Sequence, residues 1–281
     1  MSIEIRPSGG VLGHEILGVD LARPISDSTF ADIEKAFNDC GTVVIRGQKI
    51  TPEQQIAFTR RFGELDSYPA GNFALPGHDA ILVVSNILEN GKPIGMVDAG
   101  RAWHSDMSFT PAPPRCSLLY SLEVPQRDGK VIGDTLFAST DAAWAGLPDE
   151  TKERLVSYKT LSSFASYASK KSDGREKLGH TVPDVVHPLA RTHPVTKRKC
   201  LYLSERTTIK LGDLDEAEST KLREQLIEHL TKPEYVYRHN WRAGDLVIWD
   251  NCSSMHKAVF DYALPERRRM HRTTVKGGPT F

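Results

Sequence analysis

Beyond position 79 the chain is dominated by short runs of β-branched and aromatic residues, and this pattern constrains the fold more than any other feature. AILVVSN (80–86), SLLYSLEV (117–124), DTLF (134–137), KCLYLS (199–204), YVYRHNW (235–241), DLVIWD (245–250) and MHRTTVK (270–276) each fit a short strand. GTVVIRG, bounded by glycines, adds a buried strand over 42–46. Parallel strands need helical crossovers of a dozen or more residues, and no such βαβ rhythm is present. No GxGxxG or GxxxxGK[ST] follows any of these strands, which disfavours a doubly wound nucleotide fold. Helices are predicted at four places. The first is 27–40, with Phe30, Ile33 and Phe37 at helical spacing. The second is TPEQQIAFTRRFG, where Thr51 is placed to cap and Pro52 takes the first helical position. A third runs from Thr140 to about Tyr158, broken at Pro148, and the last is DEAESTKLREQLIEHL, with Leu222, Leu226, Ile227 and Leu230 on one face. The expectation is a mainly β fold with flanking helices (α+β), closed as a barrel or jelly roll.

Composition narrows the class of function. The 36 Lys and Arg balance 36 Asp and Glu, so no global field favours nucleic acid or an anionic membrane surface. No apolar run approaches the roughly 20 residues that span a bilayer. MSIEIRPSGG lacks the basic-then-apolar pattern of a secretory signal. Cys40, Cys116, Cys200 and Cys252 are far apart, with no CxxC pair, so neither a disulfide framework nor a zinc ribbon is indicated. With no internal repeat and no Pro/Gly/Ser linker, a single domain over 1–281 in a soluble, cytoplasmic protein is expected.

The candidate chemistry begins at AWHSDMSF. On a strand, residues two apart share a face, so His104 and Asp106 would stand side by side. An imidazole and a carboxylate are two of the three ligands of the 2-His-1-carboxylate facial triad, which leaves positions open on iron(II). A hydrogen-bonded His–Asp pair is the bland alternative. DLVIWDNCSSMHKA supplies a second histidine, His256, just beyond an apolar strand. His239 alternates with Tyr235 and Tyr237, and His187 and His193 each precede proline; these are read as structural. In PERRRMHRTTVK, strand alternation puts Arg268, Met270, Arg272 and Thr274 on one face and Arg267, Arg269 and His271 on the other. Two inward arginines would be costly unless each met an anion. A dicarboxylic cosubstrate and an acidic substrate would provide them, through paired guanidinium–carboxylate bonds.

Taken together, WHSDMSF (103–109), GDTLFAS (133–139), HPLARTHPVTKRKCLYLS (187–204), RHNWRAGDLVIWDN (238–251), His256 and RRRMHRTT (267–274) resemble the taurine dioxygenase / dichlorophenoxyacetate dioxygenase family of Fe(II)- and 2-oxoglutarate-dependent oxygenases. The resemblance runs from position 41 to the end. It implies a double-stranded β-helix (jelly roll) that binds Fe(II), 2-oxoglutarate and O2 and hydroxylates a small anionic organic substrate. By the same resemblance His104, Asp106 and His256 would hold iron, Thr135 and Arg268 the distal carboxylate of 2-oxoglutarate, and Arg272 the acid of the substrate. Met107 would face the substrate, with Phe109 and Trp249 as walls. The stretch from His256 to the arginines is one residue longer than usual in the family, so alignment on MHR selects Arg268, with Arg267 the fallback. Ile132 stands where the family's first glycine of GGDT is usual. Asp66, Ser67 and Tyr68 stand where taurine-specific members place histidine, which points to an acid other than taurine. ENGKPIGMVDAGRA (89–102) reads as a mobile loop over the mouth, with Arg101 as a solvent-exposed arginine. A homo-oligomer is compatible with the family. The rivals are a non-catalytic binding protein retaining the fold, disfavoured by the complete triad, and a metal-dependent hydrolase at the same ligands. Hydrolysis needs no second dicarboxylate, so GDT and the arginine pair speak against the latter.

Overall fold

The structure, a computed structural model, describes residues 3–68, 73–97, 100–168 and 182–281. The strands of its two facing sheets are β1 (Glu4–Arg6), β2 (His14–Leu17), β3 (Thr42–Ile45), β4 (Ala74–Leu75), β5 (His78–Ser85), β6 (Cys116–Glu123), β7 (Thr135–Ser139), β8 (Val236–His239), β9 (Leu246–Asp250), β10 (Ser254–Ala258) and β11 (Arg269–Val275). Its helices are α1 (Asp27–Cys40), α2 (Pro52–Arg60), α3 (Thr140–Ala145), α4 (Asp149–Leu155), α5 (Phe164–Ala168) and α6 (Glu216–Leu230). The large sheet has eight strands in the order β1-β2-β3-β9-β6-β11-β5-β4, and the small one three, β8-β7-β10. The pairing is antiparallel except for β2 with β3. The protein is therefore mostly β with flanking helices.

Alternation along the strands sorts the core into layers. Val43, Ile45, Cys116, Leu118, Tyr120, Leu246, Ile248 and Val275 turn outward and pack under α1 and α2 with Phe30, Ile33, Phe37 and Phe58. Their neighbours Val44, Leu82, Val84, Leu119, Val247, Trp249 and Met270 turn inward. There they meet Phe137 of the small sheet, whose ring centroid lies 5.8 Å from that of Trp249. Behind the small sheet, Ala138 and Met255 pack with Trp144, Leu155, Leu226 and Leu230 of α3, α4 and α6. The result is helix, sheet, sheet, helix, with the inner gap between the sheets reserved for the site.

Local sequence explains the helix ends. Thr51 and Gln54 form a reciprocal capping box on α2, with Pro52 at its start. Ser26 caps α1, and Gly41 closes it with φ 74°, a left-handed turn that feeds straight into β3. The predicted helix from Thr140 to Tyr158 is two short helices separated at Gly146–Pro148, since proline cannot continue a helix. The run YVYRHNW keeps only Val236–His239 as strand, because Pro233–Tyr235 winds into a 3-10 turn. KCLYLS contributes only Lys199–Leu201, paired with Ala190–Thr192. Residues 88–102 are not a plain loop. Leu88–Glu89 and Lys92–Pro93 form a small hairpin, and Met96 exchanges hydrogen bonds with Val83 and Ser85 of β5. Positions 98 and 99 of that stretch lie outside the described residues.

Candidate active site

His104 and His256 meet across the gap in a single antiparallel bridge. Each donates its main-chain N–H to the other's carbonyl, at 3.1 Å from His104 and 2.9 Å from His256. Asp106 reaches the pair by a route the sequence does not disclose. The chain is not a strand there but turns immediately after the bridge, with Met107 at φ 47°, and the turn rather than strand alternation brings the carboxylate round. Asp106 Oδ1 then lies 3.8 Å from His104 Nε2 and 4.0 Å from His256 Nε2. These separations are too long for hydrogen bonds. They suit donors that share an ion at about 2.0–2.2 Å each. The three residues form a cluster whose ligand atoms lie within 4.8 Å of one another, the only cluster of three or more His, Cys, Asp or Glu so placed among the described residues.

Surrounding groups set the orientation and charge of the cluster. His104 Nδ1 lies 2.8 Å from the Ala102 carbonyl, which fixes the tautomer and leaves Nε2 with its lone pair toward Asp106. Ser117, inward on β6, donates to Asp106 Oδ2 at 2.7 Å, and the Asp106 N–H donates to Asn251 Oδ1 at 3.2 Å. Burial alone would raise the Asp106 pKa. Arg272, then His256 and His104, with the Ser117 hydroxyl, hold it well below the usual carboxylate range instead. Burial, and secondarily His104, pushes the His256 imidazole down to about 3. A neutral imidazole and an ionised carboxylate are the protonation states that a divalent ion requires of its ligands. The donor set therefore fits Fe(II).

A cavity of about 50 Å³ opens beside the cluster, lined by His104, His256, Thr135, Arg268 and Arg272 together with Val84, Leu119, Phe137 and Trp249. Arg268 is only 3% exposed. Its side chain has one polar contact, from Nη1 to the Tyr262 hydroxyl at 3.2 Å, while its Nε has no partner. A buried guanidinium without a carboxylate is expensive. Thr135 Oγ1, which accepts from Trp241 Nε1 at 3.0 Å, keeps its own proton to donate. These residues fit a molecule that brings a carboxylate of its own, as 2-oxoglutarate does. Arg267, by contrast, is exposed and paired with Glu123 at 2.8 Å, outside the cavity.

A second cavity of about 180 Å³ shares Gly100, His104 and Arg272 with the first. Met96, Arg101, Met107, Phe109, Phe164, Arg206 and Thr207 complete much of its wall. Arg272 donates to Asp106 Oδ1 at 3.1 Å, so it stands on the cluster itself and not only toward the larger cavity. Of the other expected residues, Met107 and Phe109 line this cavity, while Trp249 belongs to the smaller one. Arg101 is exposed and stacked 3.9 Å over Phe260. Tyr68 turns to the inner side of β11, where its hydroxyl meets Thr274 Oγ1 at 2.9 Å, and it lines neither cavity.

The histidines read as structural have structural partners. His239 Nε2 lies 3.1 Å from Asp245 Oδ2, His193 Nε2 3.0 Å from Asp250 Oδ2, and His187 bridges Thr280 and the Ser108 carbonyl at 2.9 Å each. Ser117, Asn251, Tyr262, Phe164 and Arg206 are the site residues that sequence reasoning does not find. Ser117 alone had a signal: its parity on SLLYSLEV opposes that of Leu118 and Tyr120, so it faces inward.

The sequence model described as "Taurine catabolism dioxygenase TauD, TfdA family" matches residues 4–274. Pentalenolactone F synthase of Streptomyces arenae is 32% identical over 290 residues, 97% of this chain and 95% of that one. The alpha-ketoglutarate-dependent 2,4-dichlorophenoxyacetate dioxygenase of Cupriavidus pinatubonensis is 30% identical over 288 residues, 98% of each chain. Among solved structures, AAD-2 in complex with Mn(II) and N-oxalylglycine superposes with a TM-score of 0.85 at 33% identity, over 100% of this chain and 99% of that one. A His-Asp-His cluster and a buried arginine awaiting a carboxylate are what such chemistry requires, and the match spans all four of these residues. The chain belongs to the TauD/TfdA family and is an Fe(II)- and 2-oxoglutarate-dependent dioxygenase.

Proposed function

We propose that this dioxygenase hydroxylates a small anionic organic substrate, a sulfonate, an aryloxyalkanoate or another carboxylate, with succinate and CO2 as coproducts. In this reading His104, Asp106 and His256 hold Fe(II), Thr135 and Arg268 hold the distal carboxylate of 2-oxoglutarate, and Arg272 and Met107 meet the substrate. When bound, Fe(II) with 2-oxoglutarate and O2 supplies the oxidising chemistry: one oxygen atom enters the product and the other enters succinate. The protein's part is placement. Ser117 and the Asn251 side chain fix Asp106. The Ala102 carbonyl orients His104. Val84, Leu119, Phe137 and Trp249 keep water from the carboxylate end of the cosubstrate. The facing sheets act as the halves of a double-stranded β-helix in a one-domain enzyme, and the described hairpin side of the loop over the mouth, residues 88–97, moves to admit substrate.

One observation carries the assignment: the smaller cavity joins the His-Asp-His cluster to a buried arginine that has no carboxylate partner among the described residues. The test is succinate release from 2-oxoglutarate with Fe(II), screened over sulfonates, aryloxy acids and amino acids. Stimulation by one class is expected. A protein that fails to bind 2-oxoglutarate in the presence of Fe(II) would overturn the reading.

A further inference from the structure

Arg268 is pinned at its root and lightly held at its tip. Its main-chain N–H donates to the Asn86 side chain at 2.8 Å, and its carbonyl accepts from the Ser85 hydroxyl at 2.8 Å. Beyond the backbone, the long side chain makes one hydrogen bond among the described residues, from Nη1 to the Tyr262 hydroxyl at 3.2 Å. Its guanidinium carbon also lies 5.7 Å from the centre of the Tyr262 ring. A flexible stem loses rotamer freedom when its head is fixed. An arginine already aimed therefore binds its anion more tightly than one that must be ordered on binding. Tyr262 is half-buried and lines neither cavity, so its effect on a ligand runs through Arg268.

What holds Tyr262 is the turn that also supplies Thr135. β7 begins at Thr135, directly opposite Ala258 at the end of β10, and the connection to β11 leaves from there beside Gly133 and Asp134. The Val259 N–H donates to the Asp134 carbonyl at 2.9 Å, and the Gly133 N–H donates to Asp261 Oδ1 at 2.8 Å. Phe260 and Tyr262 stack with ring centres 5.9 Å apart and planes 15° apart. The Tyr262 ring also fills the space that a glycine leaves, since a Cβ on Gly133 would come 3.0 Å from it. Thr135 and the Tyr262 hydroxyl are thus referenced to the same few residues of backbone. We infer that Tyr262 is a positioning residue for 2-oxoglutarate: it holds the Arg268 guanidinium at a set offset from Thr135, so that both meet the distal carboxylate without reordering. The inference rests on the reading in which Arg268 receives that carboxylate. The phenolic oxygen accepts one guanidinium N–H and the ring face attracts the cation, while the other donors of the fork are left for the carboxylate.

The inference is tested by calorimetric titration of 2-oxoglutarate, without oxygen, into protein loaded with Fe(II), as a double-mutant cycle. Tyr262→Phe, which removes only the hydroxyl, should weaken 2-oxoglutarate about 3–10-fold, the worth of one hydrogen bond. Fe(II) affinity, titrated separately, should shift less than about twofold, because Tyr262 touches no metal ligand. In an Arg268→Gln background the same substitution should change 2-oxoglutarate affinity less than about twofold, since the group it positions is gone. A merely structural role would weaken both backgrounds alike. Phe260→Leu, which keeps the hydroxyl and removes the stacked neighbour, should weaken 2-oxoglutarate about 2–5-fold, again only where Arg268 is present. If Tyr262→Phe does not fold, the Phe260→Leu cycle decides by the same criteria. An unaltered affinity, an equal loss in both backgrounds, or a loss matched by an equal loss of Fe(II) affinity would each overturn the inference and leave the dioxygenase reading standing. Failure of 2-oxoglutarate to bind the unsubstituted protein in the presence of Fe(II) would sink both.

Discussion

At the scale of single residues, the site is built from side chains whose needs are met only by what they will bind. Arg268 is the clearest case, since a buried guanidinium with one hydroxyl contact has most of its donors unspent. Charge-assisted hydrogen bonds contribute about 1.5–3 kcal/mol each. Arg268→Gln should therefore raise the KM for 2-oxoglutarate by about 10–100-fold, while metal affinity measured by titration changes little; an unaltered KM would remove Arg268 from its assigned role. Ser117 acts one bond further out, on Asp106 Oδ2. Loss of such an outer partner costs about 10–100-fold in metal affinity. Ser117→Ala should show that loss in a direct metal titration, with 2-oxoglutarate binding weakened only through the metal. The residues that the structure gathers at the cluster and the smaller cavity were picked out by the HxD pair, a later histidine after an apolar strand and alternating arginines, although the turn at Met107 and not strand alternation brings Asp106 round. Arg206 was not, since nothing in LSERTTIKL distinguishes a cavity arginine from a solvated one. The contact of Arg272 with Asp106 was also invisible, because it joins positions 166 residues apart in the chain.

At the scale of elements, strands other than KCLYLS, which ends three residues early at Leu201, were read within about two residues of their ends because period-two alternation survives in half-buried sheets. Arg268, Met270 and Arg272 do face inward, as alternation requires, and His271 and Thr273 face α2, where Gln55 Nε2 donates to the His271 carbonyl at 3.0 Å and Thr59 meets Thr273 at 2.8 Å. The strands Glu4–Arg6 and His14–Leu17 escaped notice: EIR and HEIL are too short and too polar to show a period, and pairing alone makes them strands. The turn into β7 joins backbone geometry to the proposed cosubstrate site. Gly133 has φ 76°, and a Cβ there would come 3.0 Å from both Pro125 and the Tyr262 ring, the partner of Arg268. A side chain in this region costs about 1–3 kcal/mol. Gly133→Ala should lower the melting temperature by several degrees and raise the KM for 2-oxoglutarate as Tyr262 is displaced; a variant altered in neither would mean that the turn relaxes freely.

For the whole molecule, layer order could not be read from sequence. β11 pairs with β5 and β6, each more than a hundred positions earlier, and no local pattern specifies such partners. One global property follows from the buried histidines. Burial first, then the charges of Arg269 and His78, lowers the His271 pKa to about 4. Burial likewise lowers His187 and His239, and lowers His256 to about 3. Unfolded, each takes up its proton near 6.5. Between those values the unfolded chain binds more protons, so stability is full above about pH 6.5 and is lost as the pH falls toward 4. The melting temperature of the metal-free protein should drop steadily across that window, and His271→Met should flatten part of the drop. The bridge between His104 and His256 carries a last consequence. An ion held by both ties together two points about 150 residues apart, as a covalent staple would. Constraint of a loop that long removes roughly 5 kcal/mol of disorder from the unfolded chain in the simplest entropy treatment. All four cysteines are buried and free, so the described chain has no such tie of its own. If these residues hold the ion as proposed, chelation should therefore lower the melting temperature well beyond the loss of a few ligand bonds, and the fold would have a cross-link made and broken by metal concentration instead of by oxidants.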